Sequence, residues 1–242
     1  MTSPDLSPGP LEENLYDVRQ RIANAARAAG RVPGEVQLLP VTKAVDVATA
    51  RALVDLGELE LAENRAHGLQ AKALALAGCG VRWHFIGHLQ RNKAARVVRH
   101  AHVIHSVDSA RLVSTLQRLA REEDRLLGIY LQVDFTGEAT KHGLDQEQLA
   151  EALAVAGRSP SLELLGLMAM APLHGTANRG AREVFERVAA LAADLQAADA
   201  ARFVDGRCRL SMGMSGDLAE AVRAGSTCVR VGGALFRGES PS

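Results

Sequence analysis

Short apolar runs alternate with longer amphipathic stretches along almost the whole chain. The longer stretches carry apolar residues at the spacing of a helix face, as between Leu11 and Ala29, and Gly30 then stands where a helix C-cap favours glycine. Eight apolar runs have the length of strands, and they cover residues 36–42, 60–63, 81–86, 103–107, 127–133, 162–170, 209–212 and 228–231. The pattern therefore predicts alternating strands and helices.

This alternation also predicts how the elements connect. Helices are expected over residues 11–29, 47–56, 65–76, 93–99, 109–121, 146–156, 179–198 and 217–224. Strands that alternate with helices pair in parallel through right-handed crossovers. Eight strands favour a closed barrel, so the predicted fold class is α/β, a single (β/α)8 TIM barrel, and 242 residues suit that fold. An open, doubly wound sheet is the alternative.

The two ends of the chain differ from its middle. Residues 1–10, with three prolines, predict a flexible lead-in, residues 11–237 the barrel, and residues 238–242 a flexible tail. The start lacks the basic and apolar regions of a signal peptide, and no run approaches the roughly 18 apolar residues of a membrane span. Together with three scattered cysteines, these features predict a cytoplasmic protein.

Composition narrows the range of partners. The formal net charge is zero and aromatic residues make up 3% of the chain, so neither a nucleic acid nor a membrane is an expected partner. His84 and His88 are four residues apart but span a strand-to-loop junction, and no metal site is expected. The basic residues that follow are interpreted as a solvated helix face: Arg91, Lys93, Arg96 and Arg99.

Functional groups of a (β/α)8 barrel lie at the carboxyl ends of its strands. The candidates there are Lys43, Asn64, residues 84–87, Asp108, Asp134, Met168, residues 211–215 and residues 230–233. Lys43 follows an apolar strand in LLPVTK, where an apolar environment would disfavour the charged form of its amine. A neutral amine is what a Schiff base requires. The alternative is a lysine whose amine simply reaches solvent at the barrel rim.

Two neighbouring loops are rich in glycine and serine. Gly232 and Gly233 follow the eighth apolar run, while Ser211 and Ser215 lie in LSMGMSGDLAEAV at the seventh. Barrels commonly hold phosphate at the loops after strands seven and eight, so this pair of loops predicts a phosphate site. Helix capping is the alternative role of Ser215.

Together these segments resemble the pyridoxal phosphate homeostasis protein family, whose fold is similar to the N-terminal barrel domain of alanine racemase. The resemblance covers residues 11–236 and rests on LLPVTK, LAEN, WHFIGHLQRNK, HSVD, GEATKHGL, GLMAMAP, LSMGMSGDLAEAV and GSTCVRVGGALF in that order. It implies pyridoxal 5'-phosphate (PLP) as cofactor, a role in intracellular PLP and amino-acid balance, and PLP-dependent apoenzymes as partners.

The resemblance also implies roles for individual residues. Lys43 would form the Schiff base and Arg230 would face the pyridine nitrogen. Ser211, Gly232 and Gly233 would surround the phosphate with Met212 and Ser215 nearby, Asn64 and His84 would line the cofactor face, and Met168 would pack near the ring. Gly233 stands where the family usually has threonine. One hydrogen bond to a charged group is worth about 1.5–3 kcal/mol, so weaker cofactor binding is expected.

Arg230 limits the chemistry that the resemblance implies. The alternative role of Arg230 is an ion pair with a carboxylate such as Glu63. Arginine only donates hydrogen bonds, whereas PLP enzymes that use the ring as a full electron sink place a carboxylate at its nitrogen. Racemases of this kind add a tyrosine base from another domain, and neither Tyr16 nor Tyr130 is expected to fill that role. The prediction is a monomeric PLP carrier or regulator without strong catalysis. A slow amino-acid racemase is the alternative, and aldol chemistry on sugars is a third hypothesis.

Overall fold

The strands form one parallel sheet that curls into a barrel. The computed structural model describes residues 9–135, 143–157, 159–171 and 180–237. The strands are β1 (Gln37–Pro40), β2 (Glu60–Glu63), β3 (Arg82–Phe85), β4 (Val103–Val107), β5 (Leu127–Gln132), β6 (Leu162–Met168), β7 (Arg209–Ser211) and β8 (Cys228–Val231). Their order is β1-β8-β7-β6-β5-β4-β3-β2. The ring closes through a bridge between Val41 and Ala62, next to which the Thr42 amide donates to the Ala62 carbonyl over 2.9 Å. The predicted TIM barrel is confirmed.

Eight α-helices surround the barrel within the described ranges. They are α1 (Pro10–Ala28), α2 (Val47–Asp55), α3 (Ala66–Ala75), α4 (Arg91–Val98), α5 (Ala110–Glu122), α6 (Gln146–Ala156), α7 (Ala181–Ala198) and α8 (Leu218–Arg223). Helix α1 precedes the first strand, yet it shares an apolar cluster with Val229 and Val231 of β8. The ring of helices is therefore completed by the element that comes first in the chain.

The conformation of Gly30 explains why the C-terminal end of α1 could be predicted from the sequence. Gly30 has a φ of 69°, a conformation that glycine adopts without steric cost. Its amide donates to the Arg27 carbonyl over 3.0 Å, and the Arg31 amide donates to the Ala26 carbonyl over 2.9 Å. These two bonds form a Schellman motif, which satisfies the last carbonyls of the helix.

Alternate residues of each strand face opposite sides of the sheet. One face packs against the helices in a large apolar core that includes Leu61, Ile104, Ile129, Leu167 and Met212. The other face fills the barrel interior with two smaller apolar clusters, which contain Leu39, Val41, Ala62 and Cys228 in one and Val103, Tyr130, Leu165 and Met168 in the other. The interior also holds buried polar side chains, among them His84, His105 and Ser211.

Several predicted features fall at the edges of what the structure describes. The lead-in over residues 1–10 lies outside the described residues except for Gly9 and Pro10, and Pro10 already begins α1, where proline suits the first turn. The tail over 238–242 and most of the GEATKHGL segment also lie outside them. Among the described helices, none has the length and apolar character that a bilayer crossing requires.

Candidate functional site

Lys43 lies just beyond β1, at the end of the barrel formed by the carboxyl ends of the strands, which we call the mouth. Two residues on from the bridge between Val41 and Ala62, Lys43 and Asn64 stand at the same level of neighbouring strands. Lys43 is exposed, so it does not occupy the apolar environment that its preceding strand suggested. The apolar residues of LLPVTK lie in the core and in the barrel interior, whereas Lys43 lies beyond both.

A buried ion pair supports the chain immediately before Lys43. The Nζ atom of Lys72 in α3 donates to Oε1 of Glu63 over 2.5 Å and to the Thr42 carbonyl over 2.6 Å. The Thr42 hydroxyl donates to the same Glu63 oxygen over 2.8 Å. All three residues are buried. The cluster joins the end of β1 to β2 and α3. It thereby fixes the position of the main chain directly before Lys43.

Asn64 also lies at the mouth, but its side-chain oxygen is buried. Its Oδ1 atom is buried and has no hydrogen-bond partner among the described residues. Its main chain lies against Gly87, where an added Cβ would stand 2.0 Å from the Asn64 carbonyl oxygen. Only glycine allows this contact between the ends of β2 and β3. Within the described part of the mouth, this oxygen is therefore a buried acceptor without a donor.

Arg230 is almost fully buried in β8, below the mouth. Its Nη1 atom donates to the Ser211 carbonyl over 2.7 Å and to the Ser211 hydroxyl over 2.6 Å, and Nη2 donates to the Ala169 carbonyl over 3.1 Å. The alternative of an ion pair with Glu63 is wrong, because Glu63 faces α3 and pairs with Lys72. Burial lowers the pKa of the Arg230 guanidinium from its usual value.

The interior below Arg230 holds two histidines in contact. Nδ1 of His84 lies 2.8 Å from Nε2 of His105, and Nδ1 of His105 lies 2.8 Å from the Ser211 hydroxyl. The His105 ring stacks on Tyr130 with centroids 4.5 Å apart. Burial, together with the charge of Arg230, lowers the pKa of His105 well below its usual value. His105 is therefore neutral near pH 7.

The remaining predicted site residues lie in the barrel interior and in the loops after β7 and β8. Met168 lies in the barrel interior beside Tyr130. Gly232 and Gly233 follow β8 at the mouth, and an added Cβ at Gly233 would meet no atom within 4 Å. Ser215 lies in the loop after β7, where its carbonyl accepts from Arg21 over 2.7 Å.

Two of the residues that the resemblance implies near the phosphate lie on opposite sides of the sheet. The Met212 side chain packs in the outer core with the helices, on the opposite side of the sheet from the interior. The Ser211 hydroxyl, assigned to the phosphate, is fully buried and lies within hydrogen-bond distance of both His105 and Arg230. The structure thus brings Ser211 to the guanidinium of Arg230.

Three residues of this region were not predicted as site residues, namely Glu60, Lys72 and His105. His105 lies in the HSVD segment, and its side chain faces the barrel interior like that of Val103. Glu60 and Lys72 could not be identified as site residues from the sequence. The apolar pattern does not show which strand face or helix face packs against each of them. Among the described residues, no group of three or more His, Cys, Asp or Glu side chains could hold a metal ion.

Several known proteins are similar to this chain over most of its length. Residues 16–240 match the family described as alanine racemase, N-terminal domain. A Mycobacterium tuberculosis protein named pyridoxal phosphate homeostasis protein is 38% identical over 257 residues, with 96% of each chain covered. The structure of PipY from Synechococcus elongatus with PLP bound is 35% identical, has a TM-score of 0.76, and covers 89% of this chain and 99% of its own.

A more distant structure shares the fold alone. Alanine racemase from Clostridium difficile is 14% identical with a TM-score of 0.63, and the match covers 93% of this chain and 57% of the racemase. The match to the family of the racemase N-terminal domain and the similarity to the named relative extend over nearly the whole chain. This chain therefore belongs to the pyridoxal phosphate homeostasis protein family, which is built on the N-terminal barrel of alanine racemase.

Proposed function

We propose that this protein binds PLP through a Schiff base on Lys43 and holds it reversibly, as part of intracellular PLP homeostasis, without strong catalysis. The observation that carries the proposal is the placement of an exposed Lys43 level with Asn64 at a barrel mouth with a buried, hydrogen-bonded Arg230 below it. The name of the Mycobacterium tuberculosis relative and the PLP in the PipY structure support it.

The residues at the mouth suit such a cofactor. The buried Oδ1 atom of Asn64 has no donor among the described residues, and a polar group bound beside Lys43 would supply one. The open space around Gly233 leaves room for a phosphate at the loop after β8, where barrels of this kind commonly bind it. Arg230 would direct a guanidinium N–H at the ring nitrogen.

Arg230 argues for a carrier or regulator. When bound, PLP supplies an aldehyde that condenses with amines and a ring that withdraws electrons from them. Arg230 can donate a hydrogen bond but has no proton that it readily gives up, and it cannot accept one. It therefore would hold the ring nitrogen in its unprotonated form, which weakens the ring as an electron sink.

The racemase alternative is not favoured by the positions of the two tyrosines. Tyr16 lies exposed on the outer surface of α1. Tyr130 borders a cavity of about 480 Å³ with Gln37 and Thr227, at the amino ends of the strands and opposite the mouth. Burial raises the pKa of Tyr130 above its usual value, so its hydroxyl stays protonated and is not available to accept a proton from a substrate. Incubation of the loaded protein with L-alanine and L-serine should leave the enantiomer ratio unchanged.

We further propose a cytoplasmic monomer that exchanges PLP with PLP-dependent apoenzymes and has no nucleic-acid or membrane partner. The zero formal net charge supports the absence of a polyanionic partner. Direct transfer would appear as faster activation of an apoenzyme by the loaded protein than by an equal concentration of free PLP. Light scattering would measure the oligomeric state.

Trapping on a single lysine tests the proposal. The protein mixed with PLP should turn yellow, and borohydride followed by peptide mapping should place the label on Lys43. Lys43→Ala should abolish the colour and the label, whereas Lys93→Ala, which removes an exposed lysine on α4, should retain both. Covalent trapping that persists in Lys43→Ala, or a wild-type protein that stays colourless in excess PLP, would overturn the assignment.

A further inference from the structure

A continuous chain of hydrogen bonds crosses the barrel interior. Glu60 contacts Nε2 of His84, Nδ1 of His84 lies 2.8 Å from Nε2 of His105, and Nδ1 of His105 lies 2.8 Å from the Ser211 hydroxyl. The chain ends at Arg230, whose Nη1 lies 2.6 Å from the same hydroxyl. Five side chains from five strands are thus joined in one line.

The two ends of this chain lie at different ends of the barrel. Glu60 is the first residue of β2, its side chain is 31% exposed, and it pairs with Arg82 at the start of β3 over 3.0 Å. Ser211 is the last residue of β7, and Arg230 lies below the mouth. The chain therefore connects the rim formed by the amino ends of the strands to the floor of the mouth.

With both imidazoles neutral, the chemistry of the two ends fixes the direction of every hydrogen bond between them. Arg230 can only donate, so the Ser211 oxygen accepts from it. Burial opposes the ionisation of Glu60, but the hydrogen bond to His84 and the charge of Arg82 outweigh burial and lower its pKa. Glu60 is therefore a carboxylate near pH 7 and only accepts.

The protons between the ends follow from these constraints. His84 donates from Nε2 to Glu60, which leaves its Nδ1 to accept from Nε2–H of His105. Nδ1 of His105 then accepts from the Ser211 hydroxyl. With Ser211 donating in that direction, its oxygen presents lone pairs to Arg230. Each group donates towards Glu60, and the order admits one neutral tautomer for each histidine.

We propose that His84 and His105 are positioning residues that transmit the charge of Glu60 at the rim to Ser211, and thereby fix the hydrogen bond that holds Arg230 under the mouth. This inference rests on the proposed function, because the purpose of a fixed Arg230 is to orient the bound ring. Glu60, although it lies outside the mouth, would then contribute to cofactor binding.

Glu60→Gln is the informative change, since an amide can donate as well as accept and no longer enforces one direction. Arg82→Gln is the matched control, because it removes the neighbouring charge at the same rim and leaves the carboxylate. In both variants and the wild type without cofactor, nitrogen NMR of the imidazoles would identify the tautomers. Wild type and Arg82→Gln should show His105 protonated on Nε2, and Glu60→Gln should add a population protonated on Nδ1.

A double-mutant cycle links the chain to the cofactor. In the variant His105→Asn, the new side-chain amide can still accept from Ser211 through its Oδ1 atom, but it no longer reaches His84. Glu60→Gln should weaken PLP binding by about tenfold, which corresponds to one weakened hydrogen bond to a charged group. In the His105→Asn background, Glu60→Gln should have no further effect.

Three results would overturn the inference: His105 protonated on Nδ1 in the wild type, an unchanged tautomer in Glu60→Gln, or an equal loss of PLP affinity from Glu60→Gln with and without His105. The NMR arms use the protein without cofactor. If borohydride traps no PLP on Lys43, the proposed function fails while the NMR arms still decide whether the directional chain exists.

Discussion

Lys72 donates to Glu63 over 2.5 Å, and both side chains are buried behind the segment that directly precedes Lys43. Charges removed from water persist in proteins when they are paired and hydrogen-bonded. Here the ammonium also reaches the Thr42 carbonyl over 2.6 Å. The pair therefore couples the stability of the barrel to the position of the main chain at the mouth.

Lys72→Met should destabilise the protein strongly. The substitution leaves the Glu63 carboxylate buried without its cation, and removal of one partner of a buried pair costs about 3–5 kcal/mol. Urea unfolding followed by circular dichroism would measure the free energy of unfolding. The control is Arg118→Ala, which removes a well-exposed partner of Glu122 and should cost less than about 1 kcal/mol. Equal losses in the two variants would contradict the role of the buried pair.

Gly233→Thr should strengthen PLP binding. The position has open space for a side chain, and a threonine hydroxyl there could donate to the phosphate. One hydrogen bond to a charged group is worth about 1.5–3 kcal/mol, which corresponds to a gain of roughly 10- to 150-fold in affinity. Absorbance titration with PLP would measure it. Gly233→Ala supplies a Cβ without a hydroxyl, and a similar gain in that variant would show that the hydroxyl is not responsible.

The order of strands and helices could be predicted from the sequence because each element carries a strong period of apolar residues. The strands Glu60–Glu63, Val103–Val107 and Cys228–Val231 have the predicted bounds. The strand ends also located Lys43 and Arg230, since a parallel barrel gathers those ends at one mouth.

Side-chain partners could not be predicted in the same way. Ser211 and His105 lie 106 residues apart in the chain, and their contact depends on the exact stagger of β4 and β7. A shift of one residue in either strand would turn its side chain to the other face. The exposure of Lys43 likewise depends on where β1 ends, which an apolar run defines only to within a few residues.

Gly87→Ala should damage both stability and the mouth. A Cβ at this position would lie 2.0 Å from the Asn64 carbonyl oxygen, so the ends of β2 and β3 must separate. Overpacking of this kind typically costs about 1–3 kcal/mol. The same movement would displace Asn64 and weaken PLP binding, which absorbance titration would detect. Gly34→Ala, with no atom within 4 Å of the added Cβ, should change neither property.

Acid should destabilise the protein partly through His102. Burial, together with the charges of Arg125 and Arg82, lowers the pKa of His102 from 6.5 to about 4. The unfolded chain therefore binds more protons than the folded protein between these values, and the free energy of unfolding should fall as the pH drops from about 6.5 to about 4. Because the ring is partly hydrated, its contribution should be on the order of 1 kcal/mol.

The His102→Asn variant isolates this contribution. The amide of Trp83 donates to Nδ1 of His102 over 3.0 Å, and the Oδ1 atom of an asparagine could accept the same bond without titrating. Urea unfolding at several pH values should then show a shallower loss of stability below pH 6.5 than in the wild type. His105, whose pKa is also lowered, remains in both proteins and contributes equally to both curves. Parallel curves for the two proteins would mean that His102 titrates alike in the folded and unfolded states.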